Sequence, residues 1–201
     1  MSKVMITITI ACLALTAIAA ALFCCLDIGI FLTLAITFGT VFYHFGARLT
    51  VGYSLNLIMK NRVDYTKRRY KVRAWEIGLY EFLRVGKWKK ILPTYNPDSF
   101  SPRKHSWEEI ACAMCIAETV HEVCALISFV PLIAVIWFGA FLVFLITSVC
   151  GALLDLVFVA VQRYNRQRVL RVIDAKRQRR VEAEKKACPA CEGTDEKSAD
   201  V

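Results

Sequence analysis

Four long apolar blocks dominate the chain, and the charged residues are gathered between and after them. Each block has about 20 residues or more, and an α-helix of that length crosses a hydrocarbon core of about 30 Å. The pattern therefore predicts an all-α, polytopic membrane protein with four transmembrane helices. The blocks cover residues 4–26, 28–47, 110–136 and 138–161.

The first block has a second interpretation, because a cleaved signal peptide also begins with an apolar segment. The Ala-Ile-Ala-Ala sequence at residues 17–20 has the small side chains that signal cleavage needs. However, the block is longer than the apolar core of a signal peptide, which has about 7–15 residues, and only Lys3 precedes it. We therefore expect a retained transmembrane helix, with cleavage as the open alternative.

Two polar regions, residues 60–108 and 162–201, carry most of the charge. The first has 13 Lys or Arg against 5 Asp or Glu, and the second has 11 against 7. The turns near Asp27 and Pro131 contain no Lys or Arg. The positive-inside rule then places both polar regions and both termini in the cytoplasm. Topology and anionic headgroups account for the net charge of +9, so no nucleic-acid partner is expected.

The loop between the two pairs of blocks has a structure of its own. Aromatic rings alternate there with basic residues, as is typical of the lipid headgroup layer. Residues 72–83 predict a short amphipathic helix, and Ser106 followed by acidic residues predicts the N-cap of the third transmembrane helix. The expected divisions are a hairpin at 1–59, an interfacial loop at 60–108, a second hairpin at 109–166, and a basic, partly disordered tail at 167–201.

Polar side chains recur at helical spacing within three of the blocks. Because ionisable groups are costly in lipid, such residues are candidates for function. We expect their faces to enclose a polar cavity open to the cytoplasm, and a hydrogen-bond network that only fixes helix register is the structural alternative. The faces consist of Thr33, Thr37, Thr40, His44 and Arg48 in the second block, Glu118, His121 and Glu122 in the third, and Ser148, Gly151, Asp155, Gln162 and Arg166 in the fourth.

The group in the third block predicts the chemistry. A histidine flanked by carboxylates is held in one tautomer and gains basicity, which suits general-base catalysis on a hydroxyl. Glu-x-x-His spacing also occurs in di-iron helical bundles, but those sites need a second copy of the motif. The chain contains only the copy at Glu118 and His121, so no bound metal is expected.

Two features of the cysteines stay open at this point. Cys188 and Cys191 form a Cys-x-x-Cys pair in the tail, but a zinc site needs two further ligands and none is nearby. Cys115 lies one turn from Glu118 in the third block. It is a candidate for a covalent acyl-enzyme, although the expected chemistry requires no such intermediate.

Three short motifs follow one another in the second half of the chain. They are Lys-Trp-Lys-Lys-Ile-Leu-Pro at 87–93, Ala-Glu-Thr at 117–119 and Val-Gln-Arg-Tyr-Asn-Arg-Gln-Arg at 161–168. Their order and spacing, over about residues 75–172, resemble the glycosyl-4,4'-diaponeurosporenoate acyltransferase family. These small bacterial membrane enzymes esterify a fatty acyl group onto a carotenoid-linked glucose.

The chain departs from that family pattern at one place. In the pattern, Glu-Thr is followed by Ala-Glu and then, one turn later, by a His-Trp pair. Here His121 and Glu122 come early, and Ala125 and Leu126 stand in the position of the His-Trp pair. The resemblance therefore implies a divergent member that shares the scaffold and supports acyl transfer better than it supports a carotenoid acceptor.

The resemblance implies a multi-pass enzyme of the bacterial cell membrane. It would move an acyl group from a cytoplasmic thioester, acyl-coenzyme A or an acyl carrier, to a hydroxyl of a membrane-embedded glycolipid or other lipid. His121 is the expected base, and Glu118 or Glu122 is expected to orient it. The donor is a substrate and no bound cofactor is expected. Membrane lipids and a small lipid substrate are the expected partners, while the acyl chain, the acceptor and the oligomeric state stay open.

Basic and aromatic residues near the headgroup level are expected to bind the substrates. Arg163, Arg166 and Asn165 would bind donor phosphates, with Lys89 and Lys90 as additional charges. Stacking on Trp88 and Tyr164 would hold a sugar. The other candidate substrate-binding residues are His44, Arg48, Asp155 and Gln162.

A non-enzymatic bundle that binds lipid or a partner helix is the rival interpretation. Such a scaffold needs only the polar faces, whereas an acyltransferase also needs the His–Glu group and the basic regions. A small transporter is disfavoured, because the chain lacks an inverted repeat and paired helices broken by Gly or Pro.

Overall fold

The computed structural model describes residues 2–59, 63–88 and 97–187, and these residues form helices and turns without a strand. Four of the helical segments are long and apolar enough to cross a membrane. The predicted all-α class with four such helices is confirmed. The helices are α1 (Ser2–Leu26), α2 (Gly29–Met59), α3 (Ala74–Phe82), α4 (Val85–Trp88), α5 (Trp107–Ile127), α6 (Val135–Phe138) and α7 (Phe141–Ala187).

The bundle has two distinct ends. At the turn end, Asp27 joins α1 to α2 with a left-handed backbone (φ 50°), a conformation that Asp adopts more readily than most residues. At the loop end, residues 63–88 pack against α5 and α7. Helix α1 packs on α2, α2 packs on α5, and α5 packs on α7.

Helix α5 begins where the sequence predicts. The Ser106 side chain accepts a hydrogen bond from the Glu109 N–H, and the Glu109 carboxylate accepts one from the Ser106 N–H. This capping box satisfies two N–H groups that have no partner inside the helix. The N-cap prediction is confirmed.

The third apolar block, expected to be one helix through residue 136, is broken. Helix α5 ends at Ile127, and a 3-10 turn covers Val130–Ala134. Helix α6 is a separate short helix that ends at Phe138 and is capped by Gly139 (φ 70°). Pro131 lies at the start of the 3-10 turn, and its missing N–H and bulky ring prevent an α-helix from continuing through it.

Two helices are longer than their apolar blocks. Helix α2 continues twelve residues past the predicted end at 47, to Met59, and α7 continues past 161 to Ala187. The hydropathy pattern locates the part of a helix that suits lipid, whereas backbone hydrogen bonds continue through polar residues such as Asn56, whose side-chain amide also donates to the Gly52 carbonyl.

The loop end is anchored by two apolar clusters. Ile110, Ala111 and Met114 of α5 pack with Val169 of α7. A second cluster joins α3 and α4 to α7 and contains Tyr80, Val85, Val161, Trp88 and Tyr164. The predicted amphipathic helix at 72–83 is α3, and its packing holds the loop against the bundle. Lys89, Lys90, Cys188 and Cys191 lie outside the described residues.

Candidate active site

Helices α2, α5 and α7 bring together a group of polar side chains, which we call the His121 cluster: His44, Arg48, His121 and Asp155. His121 Nδ1 lies 2.9 Å from Asp155 Oδ1. Arg48 donates to both carboxylate oxygens of Asp155, from Nη2 at 2.5 Å and from Nε at 3.3 Å. The Asp155 side chain is 1% exposed and that of His121 is 24% exposed. A buried carboxylate therefore faces an imidazole that can still be reached.

The His121 ring is held in one orientation. Its Nδ1 faces Asp155, and its plane stacks on Phe158 with 4.7 Å between ring centroids and 9° between planes. Within the described part of the chain, Nε2 has no hydrogen-bond partner. A carboxylate at Nδ1 favours the tautomer in which Nδ1 carries the proton, so Nε2 is left to accept one.

Two buried polar side chains, one in this cluster and one on α7, have no hydrogen-bond partner among the described residues. His44 is 8% exposed, and neither of its ring nitrogens has a partner among the residues that the structure describes; the same holds for the Ser148 hydroxyl. Gly151 permits the close approach of α2 to α7, since a Cβ there would lie 3.3 Å from His44 Nδ1. Buried polar groups without partners are costly and are found preferentially at functional positions.

A second group, the ion-pair network, lies nearer the loop end and consists of Glu76, Glu118, Arg163 and Arg166. Glu118 has no exposed surface and accepts hydrogen bonds from Arg163 Nη1 at 2.9 Å and from Arg166 Nη1. Arg163 Nε also donates to Glu76 Oε2 at 3.0 Å. Two guanidinium groups and two carboxylates thus compensate each other inside the protein.

The ion-pair network also fixes the loop. Arg166 Nη2 donates to the Tyr70 carbonyl at 2.6 Å, and Arg163 Nη2 donates to the Lys71 carbonyl at 3.4 Å. The Tyr80 hydroxyl donates to Glu76 Oε2 at 3.2 Å. Burial and the Glu76 carboxylate raise the pKa of Tyr80 to about 12, so its hydroxyl remains a donor at neutral pH.

The expectation that Glu118 or Glu122 orients His121 is wrong, because Asp155 does so. Glu118 binds the two arginines of the ion-pair network, and Glu122 binds Arg69 at 2.6 Å. Residues three or four apart on α5 share a face, but each lies at a different level of the neighbouring helices. Their partners are therefore set by how α5 crosses α7, not by spacing along α5.

Other predicted substrate-binding residues are distributed around these groups. Arg166 has no exposed surface and is paired with Glu118, so it is not free to bind a phosphate as expected. Tyr164 packs edge-on against Tyr80, with 6.5 Å between ring centroids, and Trp88 lies in the same cluster. Gln162 and Asn165 are half-buried. The expected polar face of α2 included Thr33 and Thr37. Their hydroxyls donate to carbonyls of α2 itself, so these two residues are not part of the His121 cluster.

Several residues of the site were not predicted from the sequence. Arg69, Glu76 and Phe158 contact Glu122, Arg163 and His121 respectively. Glu76 carried a signal, since it is one of only two acids on a short amphipathic helix in a strongly basic region. No such signal marks Arg69 or Phe158.

Metal ligands are not grouped in the described residues, where no three His, Cys, Asp or Glu side chains lie close enough to hold one ion. That the protein functions without a bound metal stays a prediction. Cys188 and Cys191 bear on it, and neither is described.

The fold and the site together define a class: a helical protein with four helices long and apolar enough to cross a membrane and a histidine–carboxylate pair between them. The comparison with known families is more specific, because the model of the glycosyl-4,4'-diaponeurosporenoate acyltransferase family matches residues 66–175, more than half of the chain. The chain belongs to this family of acyltransferases of carotenoid biosynthesis, as its motifs indicated. It matches no curated protein and no solved structure.

The matched region contains most of the site. It includes the loop, the ion-pair network, His121 and Asp155, whereas His44 and Arg48 on α2 lie before it. The prediction of an acyltransferase is confirmed. The roles of individual residues stay predictions.

Proposed function

We propose that the protein moves an acyl group from a cytoplasmic thioester donor to a hydroxyl of a membrane-embedded lipid, with His121 as the general base. The observation that carries the proposal is the 2.9 Å contact between His121 Nδ1 and Asp155, which leaves Nε2 of a partly exposed ring to receive a proton. Family membership supports the reaction class.

In the proposed reaction, His121 Nε2 removes the hydroxyl proton as the acceptor oxygen attacks the thioester carbonyl carbon. The new carbon–oxygen bond forms and the carbonyl electron pair moves onto its oxygen, which gives a tetrahedral oxyanion. When this intermediate collapses, the carbon–sulfur bond breaks and the imidazolium returns its proton to the leaving thiolate. An ester and a free thiol are released, and His121 is neutral again.

The charges of the His121 cluster favour these steps. Before the reaction, the Arg48 guanidinium and the Asp155 carboxylate compensate each other beside a neutral imidazole. During it, a positive imidazolium forms next to Asp155 while a negative oxyanion forms on the substrate. The site as a whole therefore gains no net charge, which matters where an isolated buried charge is costly.

An apolar groove of about 610 Å³ supports a lipid acceptor. It lies among α1, α2 and residues 130–138, and Tyr43 lines it directly before His44 in the chain. Thr40 and Tyr43 donate their hydroxyls to the Ile36 and Ile127 carbonyls at 2.7 and 2.8 Å, so the groove presents hydrocarbon. We place the acceptor's lipid chain here, and the family description favours a carotenoid glycoside.

The placement in the cell is part of the proposal. Both basic regions lie at the loop end of the bundle, which supports a multi-pass protein of the bacterial cell membrane with that end and both termini in the cytoplasm. A thioester donor would then reach the site from the cytoplasm and the acceptor from the bilayer. Its partners would be lipids, with no role for nucleic acid.

Comparing the lipids of cells with and without the protein tests this function. Mass spectrometry of the extracts should show that an ester-bearing glycolipid is lost with the protein and that its unesterified precursor accumulates. Loss of the protein without a change in any esterified lipid would contradict the proposal.

Cys115 has no exposed surface and lies inside the bundle, so the mechanism does not use it. We expect Cys115→Ala to transfer acyl groups at the rate of the unchanged protein, because a buried free cysteine acts as a small apolar residue. The initial rate at saturating donor is the measurement. A loss as large as that expected for His121→Gln would instead indicate a covalent acyl-enzyme.

A further inference from the structure

A cleft of about 500 Å³ opens at the loop end of the bundle, and we call it the arginine cleft. All but one of its lining side chains are cationic. The cleft lies between the loop and α7 and is separate from the apolar groove. It is lined by Arg68, Arg69, Lys71, Arg73, Glu76 and Arg163.

Only some of these charges are compensated. Arg163 forms ion pairs with Glu118 and Glu76, so the carboxylate that lines the cleft is already paired. Arg69 forms an ion pair with Glu122. Arg68, Lys71 and Arg73 are exposed and have no carboxylate partner in the described ranges of the chain. Like charges gathered in one concave surface attract an anion.

The backbone that carries these cations is held in place. Tyr70 is 5% exposed, its hydroxyl lies 3.3 Å from Thr119 Oγ1, and its carbonyl accepts from Arg166. Lys71 and Arg73 have extended backbones, with φ/ψ of −72°/127° and −80°/154°. Both side chains line the arginine cleft. The backbone positions of these cations are therefore fixed, which lowers part of the entropic cost of binding a ligand.

One ion pair joins the arginine cleft to the residue that follows His121 on α5. Arg69 lines the cleft and binds Glu122, which follows His121 on α5. A ligand with phosphates in the cleft and an extended arm can therefore direct that arm toward His121. Acyl-coenzyme A has this form, with three phosphates at one end and the thioester at the other.

We propose that the arginine cleft binds the phosphates of a nucleotide-bearing thioester, acyl-coenzyme A, through Arg68, Lys71 and Arg73. This inference rests on the proposed function and names its donor. Arginine side chains bind phosphate oxygens in bidentate fashion and lysine adds a point charge. Several free cations in a concavity suit a compact polyphosphate better than an acyl carrier protein, which presents a single phosphodiester on a convex surface.

Binding of unacylated coenzyme A to the full-length protein in phosphatidylcholine nanodiscs tests the proposal without chemistry. The Arg68→Gln/Arg73→Gln variant should bind with a Kd raised about tenfold or more, since charge-assisted hydrogen bonds are lost. Arg179→Gln/Lys185→Gln is the matched control, because it removes two exposed charges from α7 away from the cleft. An equal weakening in both variants, or none in the first, would overturn the proposal.

A lipid headgroup offers the same phosphate chemistry, and a second set of nanodiscs distinguishes it. With phosphatidylglycerol added, coenzyme A should still bind with the same dependence on Arg68 and Arg73. Binding of the Arg68→Gln/Arg73→Gln variant to phosphatidylglycerol vesicles is then compared with its Kd for coenzyme A. If only binding to the vesicles changes, the ligand of the cleft is a lipid headgroup and the proposal is wrong.

Kinetics separate this inference from the function on which it rests. The cleft variant should raise the KM for acyl-coenzyme A and leave kcat near its original value. If the unchanged protein uses an acyl carrier protein but not acyl-coenzyme A, the cleft proposal fails and acyl transfer stands. If no thioester is used although coenzyme A binds as described, the proposed function fails and the cleft stands.

Discussion

Replacing His121 by glutamine is expected to lower the rate of acyl transfer by about 10²–10⁴-fold, the usual contribution of a general base. Glutamine keeps the approximate size and the hydrogen-bonding capacity of the side chain but cannot accept the hydroxyl proton. The measurement is kcat for transfer from a thioester to the lipid acceptor, with protein level and thermal stability recorded in parallel.

His105→Gln is the matched control for this variant. His105 is partly exposed at the loop end, and Glu109, at 3.3 Å, is its one ion-pair partner among the described residues, so the same exchange there should leave kcat unchanged. Adding Asp155→Asn to His121→Gln should lower kcat only slightly more than His121→Gln alone. The effects of substitutions on kcat do not add when the residues act as one unit. A well-folded His121→Gln protein with the original kcat would refute the general-base role.

The largest effect on stability is expected from Glu118→Gln. This change leaves Arg166, which has no exposed surface, without its carboxylate and removes one of the two carboxylates that bind Arg163. Breaking one side of a buried ion pair costs about 3–5 kcal/mol, because the remaining charge is uncompensated. The measurement is the free energy of unfolding in mixed detergent micelles.

Glu122→Gln is the comparison for stability. Its pair with Arg69 is partly exposed, at 30% and 59% for the two side chains, and pairs of this kind contribute about 0–1 kcal/mol. Adding Arg166→Gln to Glu118→Gln should cost less than the sum of the single changes, since the uncompensated charge is removed with its partner. Equal unfolding free energies for Glu118→Gln and Glu122→Gln would contradict a structural role for the ion-pair network.

The membrane helices and their starts could be read from the sequence because each depends on local properties. An apolar block of sufficient length predicts a spanning helix wherever it occurs, and the Ser106 capping box is complete within four residues. The break after Ile127 was also local, but the apolar character of residues 128–136 concealed the effect of Pro131.

The partners within the site could not be predicted, because they depend on how the helices cross. Asp155 lies 34 residues from His121 along the chain, whereas Glu118 and Glu122 lie within four, and spacing alone favours the nearer carboxylates. Likewise, Arg163 and Arg166 resemble free phosphate ligands until Glu118 and Glu76 are seen to occupy them. Residue types indicated the chemistry, while tertiary packing decided which pairs form.

The position of Arg48 on α2 gives the N-terminal hairpin a part in the proposed chemistry. The family-matched region begins at residue 66 and contains both His121 and Asp155, but the cation that compensates Asp155 comes from outside it. Without α2, the Asp155 carboxylate would be buried beside the imidazole with no opposing charge. Under the proposed mechanism, the matched segment is therefore only part of the catalytic unit, and the charge balance of the reaction depends on a helix that lies outside it.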